Sequence, residues 1–371
     1  MENCNKLINV LHMGCPYLPY LGGSTKRLLS LSSEIYKFSD IRQYLITPTL
    51  SSSDDDDLYF YDILRLKKIN SRLFSWATTK FIRKHQINIV VLHNSRVILS
   101  WFLFFRFLFP KVKVLIEIHS FRDDSILKKV TNKILYKSSD AIVHLSKSSL
   151  LYMENQYKYF NNYIVYNGIN CESDINEKKN YNRESTVYGY IGSFHSWQGI
   201  NNIVDNAINV GLDYWKCNEL HLVGNGPEFD YVESKLSCFV SSGAKVYIHG
   251  WKSSNQLLEI ANKFDFLLAP RPSTVATETV FPLKIVDSIN YSIPLICTDV
   301  GGLKEKLYDS NSAFYISKCE KFALSSFFLN KPTLEEYSNV TSNLTKLSKS
   351  LGNWSDSAQD YVEIFRCLDD K

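Results

Sequence analysis

The chain has 371 residues, 45% of them hydrophobic and 22% charged, the proportions of an ordinary folded protein with no case for disorder. That length exceeds a single comfortable core and predicts two α/β domains. The net charge of +4 conceals an asymmetry, because residues 1–170 carry 23 Lys+Arg against 13 Asp+Glu and the remainder 19 against 25. A basic first half suits an anionic membrane surface or a phosphate-bearing acceptor, and equally a solvated face.

No secretory leader is expected, since Glu2 and Lys6 interrupt an N-terminus that runs straight into a strand-like pattern. The longest apolar stretch, 97–109, is broken by Ser100 and Arg106 and is too short to span a bilayer. The eight cysteines show no CxxC or zinc-like spacing, which predicts reduced, mostly buried thiols in a cytoplasmic protein.

In chain order, residues 7–12 predict a first strand that stops at Met13-Gly14. The loop CPYLPYLGGSTKR follows, then a helical pattern over 28–37. Gly22-Gly23, with Ser24 as the expected N-cap, make either an anion site of backbone amides or a plain tight turn. Strands are predicted at 43–46, 87–92, 112–118 and 140–145, separated by helices at 71–85, 97–109, 125–137 and 146–156. Such alternation predicts a doubly wound parallel sheet.

The acidic run Asp54–Asp57 reads as a solvated loop, with no flanking pattern for a metal site. His119 closes the apolar strand VLIEI, at the sheet edge where functional groups gather; a loop-capping histidine is the bland alternative. Residues 71–84 and 101–113 interleave basic with large apolar side chains. They are amphipathic core helices or a peripheral seat on the cytoplasmic membrane face.

The polar span 171–185 reads as a linker. A second alternating series follows, with strands at 187–192, 219–223, 245–248, 264–268, 293–297 and 313–316. Helices are predicted at 199–210, 228–240, 254–262, 282–291 and 303–307. The expected domains are therefore 1–170, 186–350 and a C-terminal helix, 351–371, crossing back to the first domain. The tail from 333 on is helical by pattern, with Trp354, Tyr361 and Phe365 as a packing face.

Within 264–303 the order is strand, polar loop, Pro282, helix, strand and Gly301-Gly302 turn, gathering Arg271, Glu278, Lys284 and Asp287. Together with GYIGSFHSWQGINNIV (189–204) and LHLVGNGPE (220–228), this stretch resembles the retaining glycosyltransferases of family 4, the group 1 glycosyltransferases of GT-B fold. LHMGCPYLPYLGGSTKR resembles that family's N-terminal glycine loop, EIHS its strand-end histidine and VYNGIN its Asn-Gly link.

The resemblance implies two Rossmann-like domains facing across a cleft, the C-terminal one binding a nucleotide-sugar donor and the N-terminal one a glycan or polyprenyl-linked acceptor. It implies metal-independent transfer of a hexosyl or N-acetylhexosaminyl group with retention, in bacterial surface polysaccharide synthesis. No nucleic-acid partner is expected.

Many relatives hold the diphosphate with an Arg and a Lys after the glycine that opens the second domain. Here Ser193 and Gln198 occupy those positions, so the charge is reassigned to Arg271 and Lys284. Asp287 is expected to hold the ribose, Glu278 to contact the donor sugar or its loop, and His119 to position the sugar. The amides of Gly22 and Gly23 are expected to assist the diphosphate. Glu278 and Asp287 have eight residues between them where the family usually has seven. Two alternatives stay open: a degenerate binding subunit lacking catalysis, or a sugar-nucleotide epimerase of the same fold.

Overall fold

The structure, a computed structural model, describes residues 6–18, 22–48, 59–66, 76–93, 99–158, 161–169, 181–308 and 310–370. The acidic run Asp54–Asp57 and residues 171–180 of the expected linker lie outside the described residues. The chain forms two compact units, Met1–Gly168 with Gly352–Lys371, and Ile169–Leu351.

The first unit contains β1 (Ile8–Met13), α1 (Gly23–Ile35), β2 (Ile41–Thr47), β3 (Asp62–Arg65), α2 (Trp76–Lys84) and β4 (Ile89–His93). It continues through α3 (Leu99–Leu108), β5 (Lys113–Ile118), α4 (Ile126–Lys137), β6 (Ala141–His144), α5 (Lys147–Tyr157) and β7 (Asn162–Ile164). The strands pair in parallel in the order β3-β2-β1-β4-β5-β6-β7. The central strands β4 and β5 (IVVLH and KVLIEI) are buried along almost their whole length, as parallel strands covered on both faces require. The edge strands β3 and β7 have four and three half-buried residues, too few to show a clear period in the sequence.

Helix α1 starts at Gly23, earlier than the apolar pattern predicts, and its N-cap is Gly22 rather than Ser24. Its first turns point polar groups inward: Thr25 Oγ1 donates to the Pro16 carbonyl at 2.9 Å, and Arg27 is buried. Helical apolar spacing therefore begins only at Leu28.

The second unit contains β8 (Val187–Ile191), α6 (Ile200–Asn209), α7 (Tyr214–Cys217), β9 (Glu219–Val223), α8 (Phe229–Ser241), β10 (Val246–Gly250) and α9 (Ser254–Ala261). After these come β11 (Phe266–Ala269), α10 (Val275–Thr279), α11 (Leu283–Asn290), β12 (Leu295–Thr298), α12 (Gly301–Leu307), β13 (Ala313–Ile316), α13 (Ala323–Leu329) and α14 (Leu334–Ser350). Its sheet is parallel in the order β10-β9-β8-β11-β12-β13. Aromatic rings fill its core: Tyr188 stacks on Phe266 with 5.7 Å between centroids and meets Phe328 edge-on at 4.7 Å.

Gly301-Gly302 is not a turn before a helix but the first turn of α12. A Cβ on Gly301, whose φ is +45°, would lie 2.5 Å and 2.6 Å from the carbonyl oxygens of Thr277 and Glu278, so the helix packs here on bare backbone.

The helical tail breaks after Ser350. α14 stays with the second unit, and α15 (Trp354–Asp369) belongs to the first, where it packs on α1, β1 and β4. Asn353 caps α15 in a reciprocal pair with Asp356, and Trp354, Tyr361, Ile364 and Phe365 are buried. Among the described cysteines Cys15 and Cys297 are buried, while Cys217, Cys238, Cys319 and Cys367 are exposed, which corrects the expectation of mostly buried thiols. No described helix is long and apolar enough to cross a membrane.

Candidate active site

In the second sheet β8 lies between β9 and β11, so successive connections leave it in opposite directions. Such a switch point opens a crevice at the C-terminal ends of the strands. The segments that emerge there are the Gly192–Gln198 loop after β8 and the Pro270–Thr274 loop after β11.

Arg271 is the second residue after β11 and is only 1% exposed. Its carbonyl accepts from Thr298 Oγ1 at 2.7 Å, which pins the backbone, and its guanidinium carbon lies 5.1 Å from the Trp197 ring centroid. Nε and Nη1 are buried and find no acceptor. Burial pulls its pKa down to about 10, against a smaller upward effect of Tyr190. A buried guanidinium with unpaired N–H groups is costly in isolation and is suited to an incoming anion.

Lys284, in the first turn of α11, reaches back under β8. Its Nζ donates to the Ile191 carbonyl at 2.6 Å and sits 3.6 Å from the Tyr190 ring centroid. The chain permits this because residue 192 is glycine: a Cβ there would come within 3.1 Å of Nζ, at a backbone φ of +151°. Burial pushes the Lys284 pKa down to about 7, Asp287 raises it, and Arg271 lowers it further. Asp287, half-buried one turn along the helix, thus acts on Lys284 as well as being the expected ribose ligand. Gln198, where the usual lysine is missing, buries an Oε1 without a donor.

Glu278 is already engaged. Its Oε1 accepts from Ser273 Oγ at 2.6 Å and Lys318 Nζ at 3.3 Å, and its Oε2 from the Gly301 amide at 3.1 Å. Burial raises its pKa, but those three donors outweigh it and hold the carboxyl below its ordinary value. Glu278 therefore ties the 270–278 segment to the N-terminus of α12.

In the first unit, His119 leads into a buried chain. Glu117 Oε1 accepts from His119 Nε2 at 2.5 Å and His93 Nδ1 at 2.8 Å. Oε2 accepts from Arg27 Nη2 at 3.1 Å and from the Tyr361 hydroxyl. His12 Nδ1 lies 3.1 Å from His93 Nε2. Burial raises the Glu117 pKa, but Arg27 and the two histidines hold it well below its ordinary value. The ionised carboxylate thus accepts a hydrogen bond from each histidine. A neutral His119 that donates from Nε2 keeps Nδ1 as its acceptor nitrogen.

Burial also lowers the His119 pKa despite the carboxylate beside it, so the ring is neutral. His93, Glu117 and His119 have the spacing of a metal trio, yet Arg27 already places a positive charge on that carboxylate. Gly22 and Gly23 cap and open α1 with no side-chain cap.

Residues 185–325 match the family model described as glycosyl transferases, group 1. The second unit is a group 1 glycosyltransferase domain. No curated protein sequence matches the chain. Among solved structures, a glycosyltransferase from Rickettsia africae aligns at 14% identity with a TM-score of 0.74, covering 98% of each chain. Sucrose-phosphate synthase from Thermosynechococcus elongatus aligns at 14% and 0.73, covering 97% of this chain and 99% of its own. Anabaena HepE, solved with UDP and glucose, aligns at 13% and 0.71, over 97% and 99%. The fold is GT-B.

Sequence reasoning placed Arg271, Lys284 and Asp287 of the glycosyltransferase domain in one segment, and the structure gathers them near the switch point. It missed Tyr190, Trp197 and Lys318, for which no local signal exists. It also passed over Glu117, although a carboxylate inside the apolar run VLIEI was signal enough, because a buried charge demands partners.

Proposed function

We propose that this glycosyltransferase moves a sugar from a nucleotide-sugar donor to a glycan or polyprenyl-linked acceptor, with retention of configuration, in bacterial surface polysaccharide synthesis. The observation that carries the reading is Arg271, buried with two N–H groups unpaired beside Lys284 at the switch point of the second sheet. A departing nucleoside diphosphate gathers negative charge as the glycosidic bond breaks, and fixed cations in a site shielded from water stabilise that charge.

In this scheme Arg271 receives the diphosphate through Nε and Nη1, and Lys284 supplies a second charge. Asp287 accepts from the ribose hydroxyls, and Glu278 fixes the loop that carries Arg271. The first unit is given the acceptor, with His119 positioning the sugar and the Gly22 and Gly23 amides as further donors. The leaving phosphate itself is the base, and no metal is assigned.

The test is a panel of nucleotide sugars scored for free nucleoside diphosphate, beginning with UDP-glucose, the ligand with which Anabaena HepE was solved. Release that depends on an added acceptor supports the proposal. Failure of every nucleotide to raise the melting temperature overturns it in favour of a binding subunit without catalysis, and epimerised sugar without transfer favours the epimerase.

A further inference from the structure

The segment after β8 carries no Lys or Arg between Gly192 and Gly199, yet it sets an aromatic ring against Arg271. Trp197 lies in the short turn Ser196–Gln198, which Gly199 closes with a φ of +86°. The Gln198 amide donates to the His195 carbonyl at 2.9 Å and the Gly199 amide to the Ser196 carbonyl at 3.0 Å. A Cβ on Gly199 would collide with the Pro270 carbonyl, so the turn rests on bare backbone one residue before Arg271. That contact fixes where the indole stands relative to the guanidinium. The His195 ring stacks on the indole at 5.8 Å, with 29° between the planes.

Trp197 is 42% exposed, although tryptophan is on average a highly buried residue. Its packing is spent on Arg271 instead of the core. The guanidinium carbon lies 5.1 Å from the ring centroid, inside the reach of about 6 Å over which a cation is drawn to a π face.

The contact matters because of what Arg271 lacks. Its Nε and Nη1 have no acceptor, and a carboxylate placed there would hold the group by cancelling its charge. A ring holds it and leaves the charge and both N–H groups for a ligand. The same division recurs at Lys284, whose ammonium sits on the Tyr190 ring while the Tyr190 hydroxyl donates to the Ser193 carbonyl at 2.8 Å. The segment without Lys or Arg thus supplies the rings on which Arg271 and Lys284 rest.

We propose that Trp197 is a positioning residue of the donor site, its ring holding the Arg271 guanidinium in place to receive a diphosphate. The arriving anion then changes the surroundings of the indole. The inference rests on the diphosphate role proposed for Arg271 and adds a residue to it.

The test titrates the full chain with inorganic pyrophosphate, and with UDP and GDP beside it, by calorimetry and by tryptophan emission. Trp197→Leu should weaken binding about threefold to thirtyfold. Trp197→Phe, which keeps a π face, should recover most of that loss. Emission of the wild type should shift as the anion binds, and Trp197→Phe should bind without the shift. Trp251→Phe, at another exposed indole of the second unit, should change neither affinity nor response. Because Trp197 is partly exposed, the free variants should melt with the wild type; should the leucine variant melt early, the emission comparison decides.

Full affinity in Trp197→Leu, or equal weakening in Trp197→Phe, overturns the positioning role while the diphosphate reading stands. So does an emission shift that is absent from the wild type or kept by Trp197→Phe. Failure of the wild type to bind pyrophosphate, UDP or GDP overturns both.

Discussion

The Nζ of Lys284 donates to the carbonyl oxygen of Ile191 at 2.6 Å and lies 3.6 Å from the centre of the Tyr190 ring. An ammonium group has three donors, so these two neighbours, both on β8, leave it capacity for an anion. A lysine held by one carbonyl and one π face, in a site shielded from water, is positioned without being neutralised.

Lys284→Ala should lower turnover of a competent donor by about a hundredfold to a thousandfold, the scale set by losing one preorganised partner of a developing anion. Gln198→Ala, which removes no charge, should change it a few-fold at most. Steady-state release of nucleoside diphosphate checks both, and equal mild effects would mean that the diphosphate lies elsewhere.

The pKa of Lys284, pushed down to about 7, gives a pH signature. Nucleoside diphosphate needs the protonated amine, so its affinity should fall up to about tenfold per pH unit from pH 7.5 to 9, where the phosphates no longer titrate. Lys284→Met should flatten that slope in calorimetric titration. Stability of the free protein moves the other way. Between pH 7 and the unfolded lysine value the unfolded chain holds one proton more, so the wild type gains up to ~1.4 kcal/mol per pH unit relative to the methionine variant.

Arg271 is 1% exposed with Nε and Nη1 unpaired, a cost the fold carries without ligand. Arg271→Met keeps the length of the side chain and removes the charge. It should raise the stability of the free protein by about 1–4 kcal/mol in urea unfolding and abolish the melting shift given by nucleotide. A destabilised variant that still binds nucleotide would contradict the role assigned to this residue.

Glu117 joins β5 to α1 through Arg27 and to α15 through Tyr361. Glu117→Gln leaves Arg27 buried without its counter-charge and should cost about 3–5 kcal/mol in urea unfolding at pH 7. The carboxyl is held well below its ordinary value, so its contribution is complete above the unfolded carboxyl range. It fades as pH falls through the lower, folded value. The difference between wild type and variant should therefore narrow at acid pH; a constant difference would mean that folding does not shift the Glu117 carboxyl, and a wild type that gains on the variant at acid pH would mean that it is protonated in the native protein.

The sequence by itself determined the alternation of strands and helices, and with it the two parallel sheets. A run such as Phe266–Ala269 declares itself because a buried strand needs unbroken apolar residues, whatever lies beside it. The approximate neighbourhood of Arg271, Lys284 and Asp287 was legible for a related reason: a short strand-loop-helix segment keeps near neighbours together.

Tertiary structure alone decided what each of those groups touches. Tyr190 comes under Lys284 because α11 reaches β8, 94 residues back in the chain by their numbers, and Trp197 comes to Arg271 because β8 adjoins β11. The same holds for His12, His93 and Glu117, which meet because β1, β4 and β5 are neighbours in the sheet. Strand order sets such meetings, and no local pattern of side chains encodes it. The burial that draws Lys284 towards neutral pH is likewise a property of the packed unit, created only when the chain around it has folded.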